Sequence, residues 1–332
     1  MHAALRALAD RQHAVFTAGQ ALDAGYSVEE IQVLRRKRTW SRVRRGVYVD
    51  GQLFGGLAGL PRELHLLQCA ALQLVLQRPF VFIHWSAGRL HDLDLLGQPP
   101  EDVCGTDPDE ARRGRGYRIC GATLPPEHVT TLQGWPLTTG ARTVVDLARE
   151  VSFRSGVVIA DSALRARAAT PEDLRAAVLY CSHFQGIGRA ARVCSFADGR
   201  AESVLESVSR IDLVARGLPV PELQPEIYDD HGLIGRSDML WEDYGVVGEA
   251  DGKVKYTQPY AERRPDEVLW AEKRRMSRLE AAGLAVVRWT SEELRQAPQR
   301  IVERFWLAAR RSQVAAPSYR IVSHNPRTSR AV

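Results

Sequence analysis

The chain contains no CxxC pair, and its five cysteines, Cys69, Cys104, Cys120, Cys181 and Cys194, are scattered and odd in number. A disulfide framework finds no support in that spacing, so buried free thiols in a reducing compartment are the simpler expectation. Long apolar runs are missing too. No segment approaches the roughly 18 uncharged apolar residues of a membrane span. The opening MHAALRALADRQHAVF is interrupted by Arg6, Asp10 and Arg11 before a signal-peptide core can form. These absences predict a cytoplasmic protein with no membrane partner. From about Ser312 onward there is no acidic residue, and this Pro-, Ser- and Arg-containing tail, 311–332, is expected to be disordered.

What is present is a globular composition, 45% apolar and 26% charged over 332 residues. That length exceeds what one core usually organises, so two or three domains are expected. The net charge of +5 permits a polyanionic partner without requiring one.

Residues 1–52 read as a compact helical unit with a basic end. Thr17 can cap a short helix that ends near Gly25, and Ser27 with Glu29 and Glu30 opens a second that carries Ile31 and Leu34 inward. This is a helix-turn-helix spacing. Seven of the eleven positions from Arg35 to Arg45 are Lys or Arg: Arg35, Arg36, Lys37, Arg38, Arg42, Arg44 and Arg45. After Trp40 the pattern alternates, with Val43, Val47 and Val49 on one side, Arg42 and Arg44 on the other, and Gly46 at the bend, as in a small hairpin. Such cations neutralise phosphates while the second helix offers side chains to a groove. The stretch VFTAGQALDAGYSVEEIQVLRRKRTWSRVRRGVYV, Val15 to Val49, resembles the winged-helix domain of AbiEi-type antitoxins. That resemblance implies operator DNA as a partner, with a possible cognate toxin or a homodimer.

Residues 55–198 read as a mixed α/β middle region. A helix is expected from Pro61 to about Leu76, another over TTGARTVVDLAR, and a third opened by Thr170, Pro171 and Asp173. HWSAGRLHDLDLLG and PLTTGARTVVDLA also look like segments that follow the winged helix in AbiEi-type proteins. His84 and His91 lack a nearby third ligand, and GIGRAA at Gly186 has no preceding strand, so neither a metal site nor a dinucleotide fingerprint is read there.

Residues 200–310 show a regular order: a helix from Ala201 to about Ala215, strands near Leu223–Tyr228, Leu233–Trp241 and Gly245–Asp251, a charged helix, the strand LAVVRWT, and a helix from Ser291. The stretch GVVGEADGKVKY sets Glu249, Asp251 and Lys253 on one side of a strand. Asp238 lies on the neighbouring strand of a hairpin and can stand beside Glu249. Carboxylates brought together in this way repel, and a hydrated Mg²⁺ or Mn²⁺ relieves the repulsion and can activate a water against a phosphoryl oxygen. Alternatively, Asp251 and Lys253 belong to an Asp-Gly turn, and the helix acid Glu206, on a face with Glu202 and Arg210, is simply solvated.

The segments ESVLESVSR, RSDMLW, VVGEADGKVKY and EKRRMSRLEAAGLAVVRWT resemble the PD-(D/E)xK nuclease superfamily, in the branch related to the very-short-patch repair endonuclease. The resemblance implies a restriction-endonuclease-like αβββαβ core in which Glu206 is the helix glutamate, Asp238 the first metal-binding acid, and Glu249 and Asp251 the second acidic motif. Relatives place histidines after E-x-D-G where this chain has Lys253, Lys255 and Tyr256, so the general base is open. The expectation is an α/β multidomain DNA-binding protein with a Mg²⁺-dependent endonuclease-like domain, in phage defence, toxin-antitoxin function or DNA repair. The alternative is a non-enzymatic antitoxin-type repressor with an inactive nuclease fold.

Overall fold

Local capping starts many of the helices, and the apolar pattern then decides what each element covers. The computed structural model describes residues 1–76, 78–252, 265–312 and 318–323. The chain is mixed α/β and divides into two compact units, Met1–Phe196 and Ala197–Val332. Residues 1–52 and 55–196 fall in the first of them, and 197 and 198 in the second. No helix among the described residues is long and apolar enough to cross a membrane.

The first unit opens with α1 (Ala3–Arg11), β1 (Val15–Thr17), α2 (Ala18–Asp23), α3 (Val28–Arg36), β2 (Trp40–Arg44) and β3 (Val47–Asp50). Thr17 and Ser27 each form a reciprocal capping box, with Gln20 and Glu30, and so fix where α2 and α3 begin. The strands pair antiparallel in the order β1-β3-β2. Because strand side chains alternate, this small sheet has two apolar faces. Phe16 and Tyr48 pack with Leu5, Ala21, Ile31 and Trp40 under α1 to α3. Val15, Val47 and Val49 instead join Leu67, Ala71 and Leu72 of α5 (Pro61–Val75), which follows the short α4 (Gly51–Gly56).

That second core continues into a six-stranded sheet. Its elements are β4 (Val81–Phe82), α6 (His84–Leu90), β5 (Val103–Thr106), β6 (Arg112–Gly114), β7 (Tyr117–Cys120), β8 (Val129–Leu132) and β9 (Trp135–Thr138), in sheet order β6-β7-β5-β4-β9-β8. Four helices complete the unit: α7 (Gly140–Ala148), α8 (Phe153–Arg165), α9 (Pro171–Tyr180) and α10 (Ile187–Phe196). The GIGRAA motif falls at the start of α10, which follows a helix rather than a strand.

The second unit comprises α11 (Val204–Val214), β10 (Glu222–Leu223), β11 (Glu226–Asp229), β12 (Gly232–Arg236), β13 (Met239–Trp241), β14 (Val246–Asp251), α12 (Pro265–Ala281), β15 (Ala285–Thr290), α13 (Ser291–Gln296), α14 (Pro298–Ser312) and β16 (Arg320–Val322). Each of the first two expected strands is broken in the structure. Gln224, with φ 52°, separates β10 from β11, and Ser237 and Asp238 separate β12 from β13. The two breaks are tied together, since Gln224 N–H donates to the Asp238 carbonyl (3.1 Å) and Ser237 N–H to that of Pro225 (3.2 Å). The bent hairpin therefore changes sheets: β10-β13-β14-β15 form one, and β12-β11-β16 the other. Two further expectations are corrected. The last helix starts on a Thr290 cap and breaks before Pro298, which fixes φ and removes a donor. The tail is not without structure throughout, because Arg320–Val322 pair with β11.

Val15, Val47 and Val49 are 0 to 1% exposed and share their core with α5. A fragment ending at residue 52 should thus lack a cooperative urea transition by circular dichroism, whereas residues 1–196 should unfold in one.

Candidate nucleic-acid interface and acidic site

The basic run ends one helix and begins one strand, and this places its charges around a hollow. Arg35, Arg36, Arg38 and Arg42 line a concave surface of about 850 Å³ together with Gln32 and the edge of Trp40. All four arginines are exposed, as are Lys37 and Arg45. Trp40 forms the floor and is itself 2% exposed, held edge-on by Phe16 at 4.8 Å and Tyr26 at 4.9 Å. Arg35 lies over the Tyr48 ring at 5.6 Å. The far wall is the start of α4, where Gly51 N–H donates to the Thr39 carbonyl. A Cβ on Gly51 would fall 1.9 Å from the Arg38 carbonyl oxygen, so only glycine lets this wall close.

Arg44 does not share that surface. Arg42 pairs with Tyr48 and Arg44 with Val47, which leaves Val43 as the extra residue of a bulge. The bulge breaks the strict alternation that would have set Arg44 beside Arg42. Arg44 instead donates to the carbonyls of Arg115 (3.0 Å) and Gly116 (3.2 Å), at the turn between β6 and β7, and lies 5.4 Å from the Tyr117 ring centre. It is a strut between two hairpins, and its Nε is buried without a hydrogen bond among the described residues.

In the second unit the expected acids divide into two groups. Glu206 is only 5% exposed, which overturns the solvated reading of its helix face; Arg210, at 2%, is buried as well. Glu206 is the N3 partner of the Ser203 cap. Its Oε1 accepts from Ser203 Oγ (2.8 Å), and its Oε2 accepts from the Glu202 N–H (2.8 Å) and from Gln224 Nε2 (2.9 Å). Burial pushes its carboxyl above the usual range, and the nearby charge of Asp238 pushes the same way against the three hydrogen bonds. Asp238, at the sheet-switching kink, accepts the Ala250 N–H on Oδ2 at 2.8 Å.

Glu249 has different company. Met239 pairs with Gly248, so Asp238 and Glu249 are next to each other in register, but the Glu249 carboxylate meets cations. Its Oε1 lies 2.6 Å from Arg275 Nη1 and its Oε2 2.7 Å from Arg288 Nε. Neither contact has hydrogen-bond alignment, and Glu249 Oε1 and Arg288 Nε are buried without a hydrogen bond among the described residues. Glu272 joins both arginines. Asp251 follows two residues after Glu249 on β14, and its charge is felt by Arg288. Lys253 lies outside the described residues. Arg278, further along α12, is held by Asp229, whose carboxyl these hydrogen bonds draw down to about 2. Lys273 and Arg274 remain exposed.

The arginine pair on Glu249 was missed in the sequence. Its signal was Arg288, a lone charge inside the apolar strand LAVVRWT that is the register partner of Glu249 on the parallel neighbour. Among the described residues, no three His, Cys, Asp or Glu side chains gather as a ready metal cluster.

No family model matches the chain. Over 167 residues it is 32% identical to two proteins of Mycobacterium tuberculosis, uncharacterized protein MT2308 of strain CDC 1551 / Oshkosh and uncharacterized protein Rv2248 of strain ATCC 25618 / H37Rv. The similarity covers 50% of this chain and 59% of each relative, so the chain spans less than two thirds of their length.

Asp238→Asn should bring the Glu206 titration to lower pH in a carboxyl-carbon NMR experiment, because one cause of the upward shift is removed. With its folded value raised, Glu206 contributes stability that is complete below the unfolded glutamate range and lost as pH rises through the folded value. Urea midpoints measured across that window should fall in the wild type and fall less in Glu206→Gln.

Proposed function

We propose that the chain is a DNA-binding protein whose first unit grips a duplex through the surface of Arg35, Arg36, Arg38 and Arg42. The observation that carries this reading is the hollow itself: four exposed arginines converge around it at the end of a helix that follows a second short helix in helix-turn-helix spacing. The order α1-β1-α2-α3-β2-β3, with its three-stranded antiparallel sheet, supports a winged helix like that of AbiEi-type antitoxins. In that arrangement α3 is the element offered to the major groove. Arg45 at the hairpin turn adds charge, while Arg44 contributes by fixing the hairpin. Mutating Arg35, Arg36 and Arg42 together to Ala should weaken duplex binding, with the log–log salt slope falling by roughly 0.9 for each phosphate no longer neutralised. Fluorescence anisotropy over a salt series reads both quantities; unchanged affinity and slope would remove the hollow from the interface.

The second unit supports a nuclease-like reading through the order α11, antiparallel strands, α12 and β15 parallel to β14, with acids at Glu206, Asp238, Glu249 and Asp251. The donor set suits a hard cation, since all the donors are carboxylate oxygens. Asp238, Glu249 and Asp251 would hold Mg²⁺ or Mn²⁺, which when bound lowers the pKa of water and stabilises charge on a phosphoryl oxygen. Arg275 and Arg288 hold the Glu249 carboxylate and balance its charge. Glu206 keeps the start of α11 fixed to Gln224 beside the kink that carries Asp238. The same arginine pair also favours a second reading, an antitoxin-type repressor in which Glu249 is a structural ion pair and the fold no longer cuts.

Asp238→Asn and Glu249→Gln should each abolish Mg²⁺-dependent DNA cleavage without lowering DNA affinity. Glu249→Gln should also cost roughly 3 kcal/mol of urea stability, because two guanidinium groups lose their buried anion. If wild-type protein binds its operator but takes up no divalent metal and cuts no single-stranded, duplex or mismatched DNA, the repressor reading replaces the nuclease.

A further inference from the structure

The turn that receives Arg44 carries the second concentration of cations in the first unit. Between Arg112 and Cys120 the chain reads RRGRGYRIC, with four arginines and no acid. Arg112 is accounted for by Asp107 at 2.6 Å, Asp109 and Glu110 both face Arg78, and Asp102, just before β5, has its charge felt by Arg44. Arg113, Arg115 and Arg118 are left exposed, with no acidic partner among the described residues. Arg113 and Arg118 are direct cross-strand partners on β6 and β7. Like charges set opposite each other on an antiparallel pair repel, so the fold bears a cost at this position. A charged edge strand discourages sheet-to-sheet aggregation, but one arginine on β6 would serve that end without a second facing it from β7. Ile119, the neighbour of Arg118, is 2% exposed and faces the core, which leaves Arg118 on the outer face.

We propose that this arginine hairpin is a second contact site for the DNA phosphate backbone, joined to the β2–β3 hairpin by the Arg44 strut. The proposal rests on the DNA-binding reading above and enlarges its interface. Charge complementarity selects the occupant: three exposed guanidinium groups with no acidic partner among the described residues suit a line of phosphates, and a polyanion relieves the Arg113–Arg118 repulsion. Continuity selects duplex DNA in particular. Arg45, adjacent to the strut, and Arg115, whose carbonyl receives it, stand at the two turns that Arg44 binds together. The β6–β7 hairpin thus adds its charge next to the β2–β3 turn, beyond the helix-turn-helix segment.

The test is salt-dependent duplex binding by the full chain, followed by fluorescence anisotropy. Arg113→Ala, Arg115→Ala and Arg118→Ala are combined in one variant, and Lys is substituted at all three positions in another. The Ala variant is expected to lower the magnitude of the log–log salt slope by about 2 to 3, near 0.9 for each phosphate left without its arginine, with a melting temperature no lower than that of the wild type. The Lys variant is expected to retain the slope, since charge is the requirement. If wild type binds duplex and the Ala variant binds it with the same affinity and slope, the second site is disproved while the first survives. If wild type binds no duplex at low salt, the DNA-binding reading fails and takes this site with it. Weakened binding to single-stranded oligonucleotide alone, with duplex binding intact, also overturns the proposal.

Discussion

A three-stranded sheet with two apolar faces has to be covered twice, and this constraint organises the first unit. The alternation Val15-Phe16 and Val47-Tyr48-Val49 sends aromatics to one side and valines to the other. The first three helices can cover only the aromatic face. The valine face needs α5, and through α5 the small sheet becomes continuous with the core of the six-stranded one. Gln68 adds a polar tie, donating from α5 to the Val43 carbonyl at 3.3 Å, and His13 stacks on Trp135 at 4.0 Å. The placement of the basic hairpin follows from this arrangement. With β3 pinned by its valines, β2 has a fixed floor, and the bulge at Val43 carries Arg44 to the β6–β7 turn.

The second unit depends on a different device, a hairpin bent at the same level in both arms. Asp238 lies at this bend, between β12 and β13, with its carbonyl accepting from the Gln224 N–H. The paired kinks free its side chain to take the Ala250 N–H and bring Gln224 within reach of Glu206. On the next strand, Glu249 faces the arginines of α12 and β15. A buried carboxylate between two guanidinium groups is favourable only while all three stay together, so the ion pair ties α12 to the sheet edge. Trp289, on the adjacent position of β15, does the same toward α11 through its Nε1–H to Ser209 Oγ at 2.8 Å.

Features encoded within a few residues were legible in the sequence. The caps at Thr17, Ser27 and Thr170 are local hydrogen bonds between side chains and the next turn, and each starts a helix where its spacing says. The strand carrying Glu249 and Asp251 follows from its apolar pattern, and the hairpin beside it from the E-D-Y-G turn. What depended on distant partners was not legible. Pro225 was a local sign that the strand from Leu223 to Tyr228 is interrupted, but the change of sheet was not legible, because the break at Gln224 is stabilised by Asp238, 14 residues away. Arg44 reads as one more exposed cation until the bulge and the β6–β7 turn are seen together. Glu206 reads as solvated because the helix wheel knows one apolar stripe, whereas α11 is buried on both. Arg320–Val322 is too short and too polar to register as a strand, and only the open edge of β11 makes it one.

The manner in which Arg44 is buried has an effect beyond its own contacts. A guanidinium paired with a carboxylate cancels its charge; Arg44 is held by two main-chain carbonyls and a tyrosine ring, which satisfy donors while leaving the full positive charge in place. Arg44 is half-buried where the two hairpins meet, so its charge is partly withdrawn from water. The strut that makes the hairpins rigid is also a fixed source of attractive potential. Its charge is therefore held at one place in the fold instead of moving with a flexible side chain.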